Sequence, residues 1–143
     1  MSRVDFYVLS DEGSDARLRF ACRLAEKAVD QGHRVYVQTA SLAEAQRLDD
    51  LLWTFNDRSF VAHELATGSA ASHDRVMVML GEVDAPATHR QLLINLADRL
   101  PSDVSGYERI AEIVDVDPER KRLSRDRYKQ YRERGCALES HNL

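Results

Sequence analysis

Cysteine is scarce in this sequence. Cys22 and Cys136 are the only two in 143 residues. So placed, they suggest no disulfide framework and read as free thiols in a reducing compartment. Long apolar runs are missing too, since none approaches the roughly 20 residues that span a bilayer. The N-terminal stretch MSRVDFYVLSDEGSD turns acidic after a brief apolar run. It lacks the apolar core and small-residue cleavage site of a signal peptide, so the expected address is the cytoplasm. No CxxC occurs, and the five histidines, at 33, 63, 73, 89 and 141, form no helical pair around a glutamate. A metal centre is therefore not expected, although only the fold decides whether His63 and His73 meet. The turn SDEGSD has one glycine, Gly13, no lysine, and three acids, Asp11, Glu12 and Asp15, that repel phosphate. It matches neither a P-loop nor a dinucleotide fingerprint. Nor is any nucleophile set beside a base. Cys22 falls on an apolar helical face, Cys136 follows Gly135 in an expected tail, and the adjacent Asp49 and Asp50 point in different directions. The reading is a protein with no catalytic residues, no cofactor and no metal.

What is present suits one domain with one sizeable core: 43% hydrophobic and 31% charged residues in 143. VDFYVL, residues 4 to 9, and RVYVQT, 34 to 39, predict buried strands. Between them Leu18, Ala21, Cys22, Ala25, Ala28 and Val29 recur at helical spacing, with Ser14 or Asp15 as cap and Gly32 as stop. Ser41 and Glu44 have capping-box spacing before a helix whose apolar face is Leu42, Ala45, Leu48 and Leu52. SFVAHEL and RVMVML are read as further strands and ATGSAASHD as a loop. The apolar run RQLLINLA suits a buried strand as well as a helix turn, and is read as a strand because LPSDVSG breaks the chain straight after it. Tyr107, Ile110, Ala111 and Val114 predict a helix. Asp117-Pro118 opens a last helix over about 118–134, followed by a tail over 135–143. Strands alternating with amphipathic helices predict a single-domain, three-layer, Rossmann-like α/β fold over residues 1–143. Its sheet is mostly parallel, flanked by helices, and has no phosphate-binding loop.

Charge is segregated. The chain carries a net −4, yet Pro118 to Arg134 holds eight Lys or Arg against three Asp or Glu, leaving about −9 elsewhere. At about 100° per residue, Lys121, Arg125, Lys129 and Arg132 fall in an arc of roughly 80°, with Tyr128 at its edge. Leu123 and Tyr131 lie on other faces and are the expected anchors to the body. Like charges four residues apart repel, so the stripe destabilises its helix unless something anionic meets it. Asp126 and Glu133 relieve part of that repulsion if the stripe is simply a solvated face. The acidic body opposes a nucleic acid, whereas a short acidic peptide feels mainly the stripe. Arginine can hold its carboxylates bidentately, and Tyr128 can line an apolar slot beside them. Trp53, Phe55 and Phe60 cluster where a helix ends, either as core or as an aromatic partner surface.

DFYVL, RLDDLLW followed by SFVAH, EIVDVDP and SRDRYKQYRERG, in that order, resemble the chi-subunit family of bacterial DNA polymerase III holoenzyme. The similarity covers nearly the whole chain. It implies a nucleotide-binding-like fold without nucleotide binding, in a non-catalytic accessory subunit. Its implied partners are the psi subunit, which ties it to the clamp loader, and the acidic C-terminal tail of single-stranded DNA-binding protein, which ends in proline and phenylalanine. By match, Lys121, Arg125, Tyr128 and Lys129 resemble the tail site, with Arg132 continuing the stripe. We assign Arg125 to the terminal carboxylate, Lys121 and Lys129 to acidic side chains, and Tyr128 to the phenylalanine slot. Trp53 and Phe60 correspond to the psi surface, which an alternative helicase partner also uses. No membrane and no direct nucleic-acid contact is implied. The sequence departs from the family pattern in carrying Asp117 before the proline, where an apolar residue is usual, and in a shorter stretch from Pro118 to Arg125. Asp117 opposes an acidic ligand if it faces the pocket, and need not if it caps the helix. The competing readings are a nucleotide-dependent α/β enzyme and a direct single-strand binder.

Overall fold

The computed structural model describes residues 2–10, 15–54, 63–65, 77–82, 85–101 and 103–142. Among the described residues seven strands form one sheet: β1 (Arg3–Val8), β2 (Val35–Gln38), β3 (His63–Leu65), β4 (Val78–Gly81), β5 (Leu92–Asn95), β6 (Arg109–Val114) and β7 (Ala137–Asn142). Their spatial order is β3-β4-β2-β5-β6-β1-β7, and every neighbouring pair is parallel. Helices α1 (Ala16–Asp30) and α2 (Leu42–Thr54) cover one face, and α3 (Pro118–Glu133) covers the other. The expected α/β layering is therefore present, with the sheet parallel throughout. Among the described residues no helix is long and apolar enough to cross a membrane.

Local chemistry sets the helix ends. In α1 the amide of Gly32 donates to the Val29 carbonyl at 2.8 Å and that of His33 to the Ala28 carbonyl at 2.9 Å. That paired closure needs a left-handed residue, and Gly32 supplies it at φ +82°. The same closure ends α3, where Gly135 has φ +81° and Cys136 N–H donates to the Tyr131 carbonyl at 3.2 Å. For α2 the Ser41 hydroxyl accepts from Glu44 N–H at 3.1 Å, while the Glu44 carboxylate accepts from Ala40 N–H at 3.3 Å. Ala45, Leu48 and Leu52 are buried as expected, but Leu42, in the first turn, is 50% exposed.

Two segments depart from the sequence reading. Tyr107, Ile110, Ala111 and Val114 do not form a helix: residues 109–114 are β6, between β5 and β1. The helical spacing is coincidental, because a strand covered on both faces reads as a continuous apolar run and not as an alternation. Ile110 and Val114 face the α3 side, and Ala111 and Ile113 face α1. The supposed tail is β7, paired with β1 from Arg3↔Ala137 to Val8↔Asn142. It is an edge strand of mixed exposure with few apolar residues, so its sequence looks like coil. A parallel partner demands a crossover, and α3 provides it by passing over β1 on the way from β6 to β7.

Candidate functional site

The alternation of β1 gives its side chains two destinations. Phe6 and Val8 point to the α3 side, while Asp5 and Tyr7 lie on the α1 side. Register then assembles a floor: Val8 stands beside Val114 of β6, and Phe6 beside Ser140 of β7. Over it lies the N-terminal half of α3. Between them is an open cavity of about 250 Å³ lined by Phe6, Val8, Val114, Lys121, Ser124, Arg125, Tyr128 and Ser140. Tyr128 is half-buried and packs on Phe6, with ring centroids 5.2 Å apart. The result is an apolar hollow with two cations at its rim.

The cations of α3 divide into two sets. Arg122 is spent on Glu119 at 2.6 Å and Asp126 at 3.6 Å, and Arg120 lies 3.8 Å from Asp115. Arg127 points inward to Glu112 at 3.0 Å. By contrast, Lys121, Arg125, Lys129 and Arg132 are exposed, and no carboxylate among the described residues pairs with them. Lys121, Arg125 and Tyr128 meet at the cavity; Lys129 and Arg132 extend the cationic surface without lining it. Asp117 is committed to the helix end, where its carboxylate accepts from Arg120 N–H at 3.0 Å.

What fixes the rotation of α3 is polar. Its buried residues are Ser124, Arg127 and Tyr131. The fully buried Glu112 carboxylate accepts from Arg127 Nε at 3.0 Å, Tyr131 Oη at 2.6 Å and Asn95 Nδ2 at 2.8 Å. Burial holds the Glu112 carboxyl above its ordinary range, against the opposing pull of Arg127, Tyr131 and Asn95. Burial, with the Glu112 charge beside it, also drives the Tyr131 hydroxyl upward, so it stays a donor. Tyr131 is the expected anchor; Leu123 is only half-buried, and Arg127 is the anchor that charge counting misses. The cavity residues Phe6, Val8, Val114, Ser124 and Ser140 also escape sequence reasoning. Only the i, i+2 spacing of Phe6 and Val8 hints at a shared face.

On the α1 side Asp5 accepts from Arg109 at 2.7 Å, Arg3 at 3.2 Å and His141 at 3.1 Å. Asp5, Glu139 and His141 offer ligand-type atoms within 4.8 Å of one another. Two guanidinium groups already occupy Asp5, so the cluster is an ion-pair network and disfavours an added cation. Cys22 is buried, and its thiol is pushed up to about 12 by burial, as suits an inert core thiol. The turn at 11–14, Phe55, Phe60 and His73 lie outside the described residues. So does the side chain of Trp53, whose backbone lies in the last turn of α2.

The sequence pattern of the DNA polymerase III chi subunit family (HolC) matches residues 1–139. The chain belongs to this family. It is 43% identical to DNA polymerase III subunit chi of Pseudomonas aeruginosa, over 100% of this chain and 98% of that protein. Identity to the chi subunit of Haemophilus influenzae is 30%, over 96% of this chain and 95% of that one. The Escherichia coli chi subunit is 28% identical, over 96% of each. Among solved structures, the crystal structure of T4 UvsW superposes with a TM-score of 0.69 over 99% of this chain and 41% of that chain. Its identity of 8% makes this a likeness of fold alone. Membership of the chi family makes the chain a DNA replication accessory subunit of the polymerase III system.

Proposed function

We propose that this chi-family chain is a non-catalytic adaptor that grips the acidic C-terminal tail of single-stranded DNA-binding protein. The observation that carries this reading is the pairing of an apolar hollow with cations that have no carboxylate partner among the described residues. Arg125 receives the terminal carboxylate, with charge-assisted contacts shorter and stronger than neutral ones. Lys121, with Lys129 beyond the rim, attracts the preceding acidic side chains. The terminal phenylalanine seats against Tyr128, Phe6 and Val114. Specificity then comes from the hollow, and charge supplies steering that salt weakens. The second attachment is to the psi subunit through Trp53 and Phe60, a reading supported by family membership. It ties the tail-bound complex to the clamp loader.

The test is calorimetry with a short acidic peptide ending in Pro-Phe. One tight site per chain is expected, weakening as salt rises. Removing the last phenylalanine abolishes that site. Equal affinity of the truncated peptide would leave only diffuse charge attraction and defeat the assignment. Trp53→Ala with Phe60→Ala is expected to lose psi on co-purification while keeping the peptide.

A further inference from the structure

The opposite face of β1 carries a second cleft that the tail reading does not use. Tyr7, Phe20, Leu24, Arg23, Lys27 and Gln31 line most of a groove of about 340 Å³ between α1 and the sheet. Its size is within the range of ligand clefts. Arg19, Arg23 and Lys27 follow at four-residue spacing on the exposed face of α1. No carboxylate among the described residues pairs with any of the three. Arg109, which also borders the groove, is committed to Asp5 and to the Tyr7 hydroxyl. A row of unpaired cations thus runs beside a floor formed by Phe20 and Leu24.

We infer that this groove binds an acidic peptide segment in extended form, at a site separate from the α3 cavity. Helical residues four apart rise about 6 Å. Alternate side chains of an extended chain are spaced about 6.6 Å apart on one face. Carboxylates on alternate residues therefore track Arg19, Arg23 and Lys27, and an apolar side chain beside them enters the groove over Leu24. A single-stranded nucleic acid fits less well, because it needs free ring faces for its bases. Tyr7 has His141 stacked on it at 4.9 Å and Phe20 packed at 5.3 Å, and the Arg23 guanidinium lies 5.8 Å from the Phe20 centroid. Nothing in this groove selects a chain terminus, so an internal acidic segment suffices, and the inference stands independently of the tail reading.

The test is a nitrogen-15 chemical-shift titration of the full chain with the amidated peptide Asp-Leu-Asp-Phe-Asp, which has no terminal carboxylate. Saturable shifts are expected at the amides of Phe20, Arg23, Leu24 and Lys27, with Kd below about 1 mM. They persist in Arg125→Ala and weaken roughly tenfold in the Arg23→Gln, Lys27→Gln double variant, as loss of two exposed charge contacts implies. The Asn-Leu-Asn-Phe-Asn peptide makes the same comparison on the unaltered protein. Shifts confined to α3, absence of saturation, equal binding of the neutral peptide, or tighter binding of oligo-dT at α1 would each overturn the inference.

Discussion

Arg127 Nε sits 3.0 Å from Glu112 Oε1 inside the α3–sheet interface, with Glu112 fully buried and the Arg127 side chain 8% exposed. This contact joins an inward residue of α3 to the centre of the sheet. It leaves Lys121, Arg125 and Tyr128 on the outward side, over the hollow. Removing one partner of a buried pair strands the other charge, at a cost of about 3–5 kcal/mol. Glu112→Ala is therefore expected to lower stability by that order in urea unfolding, and to weaken peptide binding although Glu112 touches no ligand. The Glu112→Ala, Arg127→Met double variant should recover part of the loss. Additive losses in that cycle would mean that the two residues act separately.

Cations on α3 are predicted to differ by their internal pairing. Arg125→Ala is expected to cost roughly 1.5–3 kcal/mol of peptide affinity, the value of a hydrogen bond to a charged group. Arg122→Ala should cost far less, because Glu119 and Asp126 already hold that guanidinium. Both variants keep the helix and remove one positive charge, so parallel titrations separate a local site from overall charge. Equal losses would mean that the stripe acts only as a diffuse field.

Acid should weaken the chain through Asp5. Burial raises that carboxyl, but hydrogen bonds from His141 and Arg109, with the charges of Arg109 and Arg3, more than offset burial and hold it below the ordinary carboxylate range. A carboxyl lowered on folding contributes stability above its unfolded pKa of about 4 and loses it as pH falls through the folded value. Asp5→Asn is expected to be less stable at pH 7 and to show a flatter decline below about pH 4. Thermal melts across that range provide the check.

The two thiols should react unequally. Cys22 is buried with its thiol pushed up to about 12, whereas Cys136 is partly exposed and raised by burial to a smaller extent. Alkylation of the native chain near pH 8 is expected to label Cys136 first and Cys22 only on unfolding. Intact mass spectrometry before and after denaturant measures it.

The stripe was legible in the sequence because a helix repeats every 3.6 residues, so charge spacing alone puts Lys121 and Arg125 on one side. The strand-helix alternation up to Thr54 was legible for the same reason, as buried faces leave periodic traces. Phe6, Val114 and Ser140 meet only through the register of β1 with β6 and β7, which no local pattern encodes. Residues 109–114 hide their strand for the same reason: Glu112 sits within an apolar run, and its partners Asn95, Arg127 and Tyr131 lie on other elements. Since α3 anchors through Arg127 and Tyr131, its inner face looks as hydrophilic as its outer one. For β7, pairing with β1 decides the strand, and ALESHN by itself does not.

The central claim is that a peptide's terminal aromatic ring enters the hollow beneath α3. Isotope-filtered nuclear Overhauser measurements on the labelled chain with an unlabelled acidic Pro-Phe peptide test it most directly. Contacts from the phenylalanine ring to the Val8 and Val114 methyls and the Tyr128 ring are the predicted result. A saturated complex whose ring contacts none of these groups would contradict it.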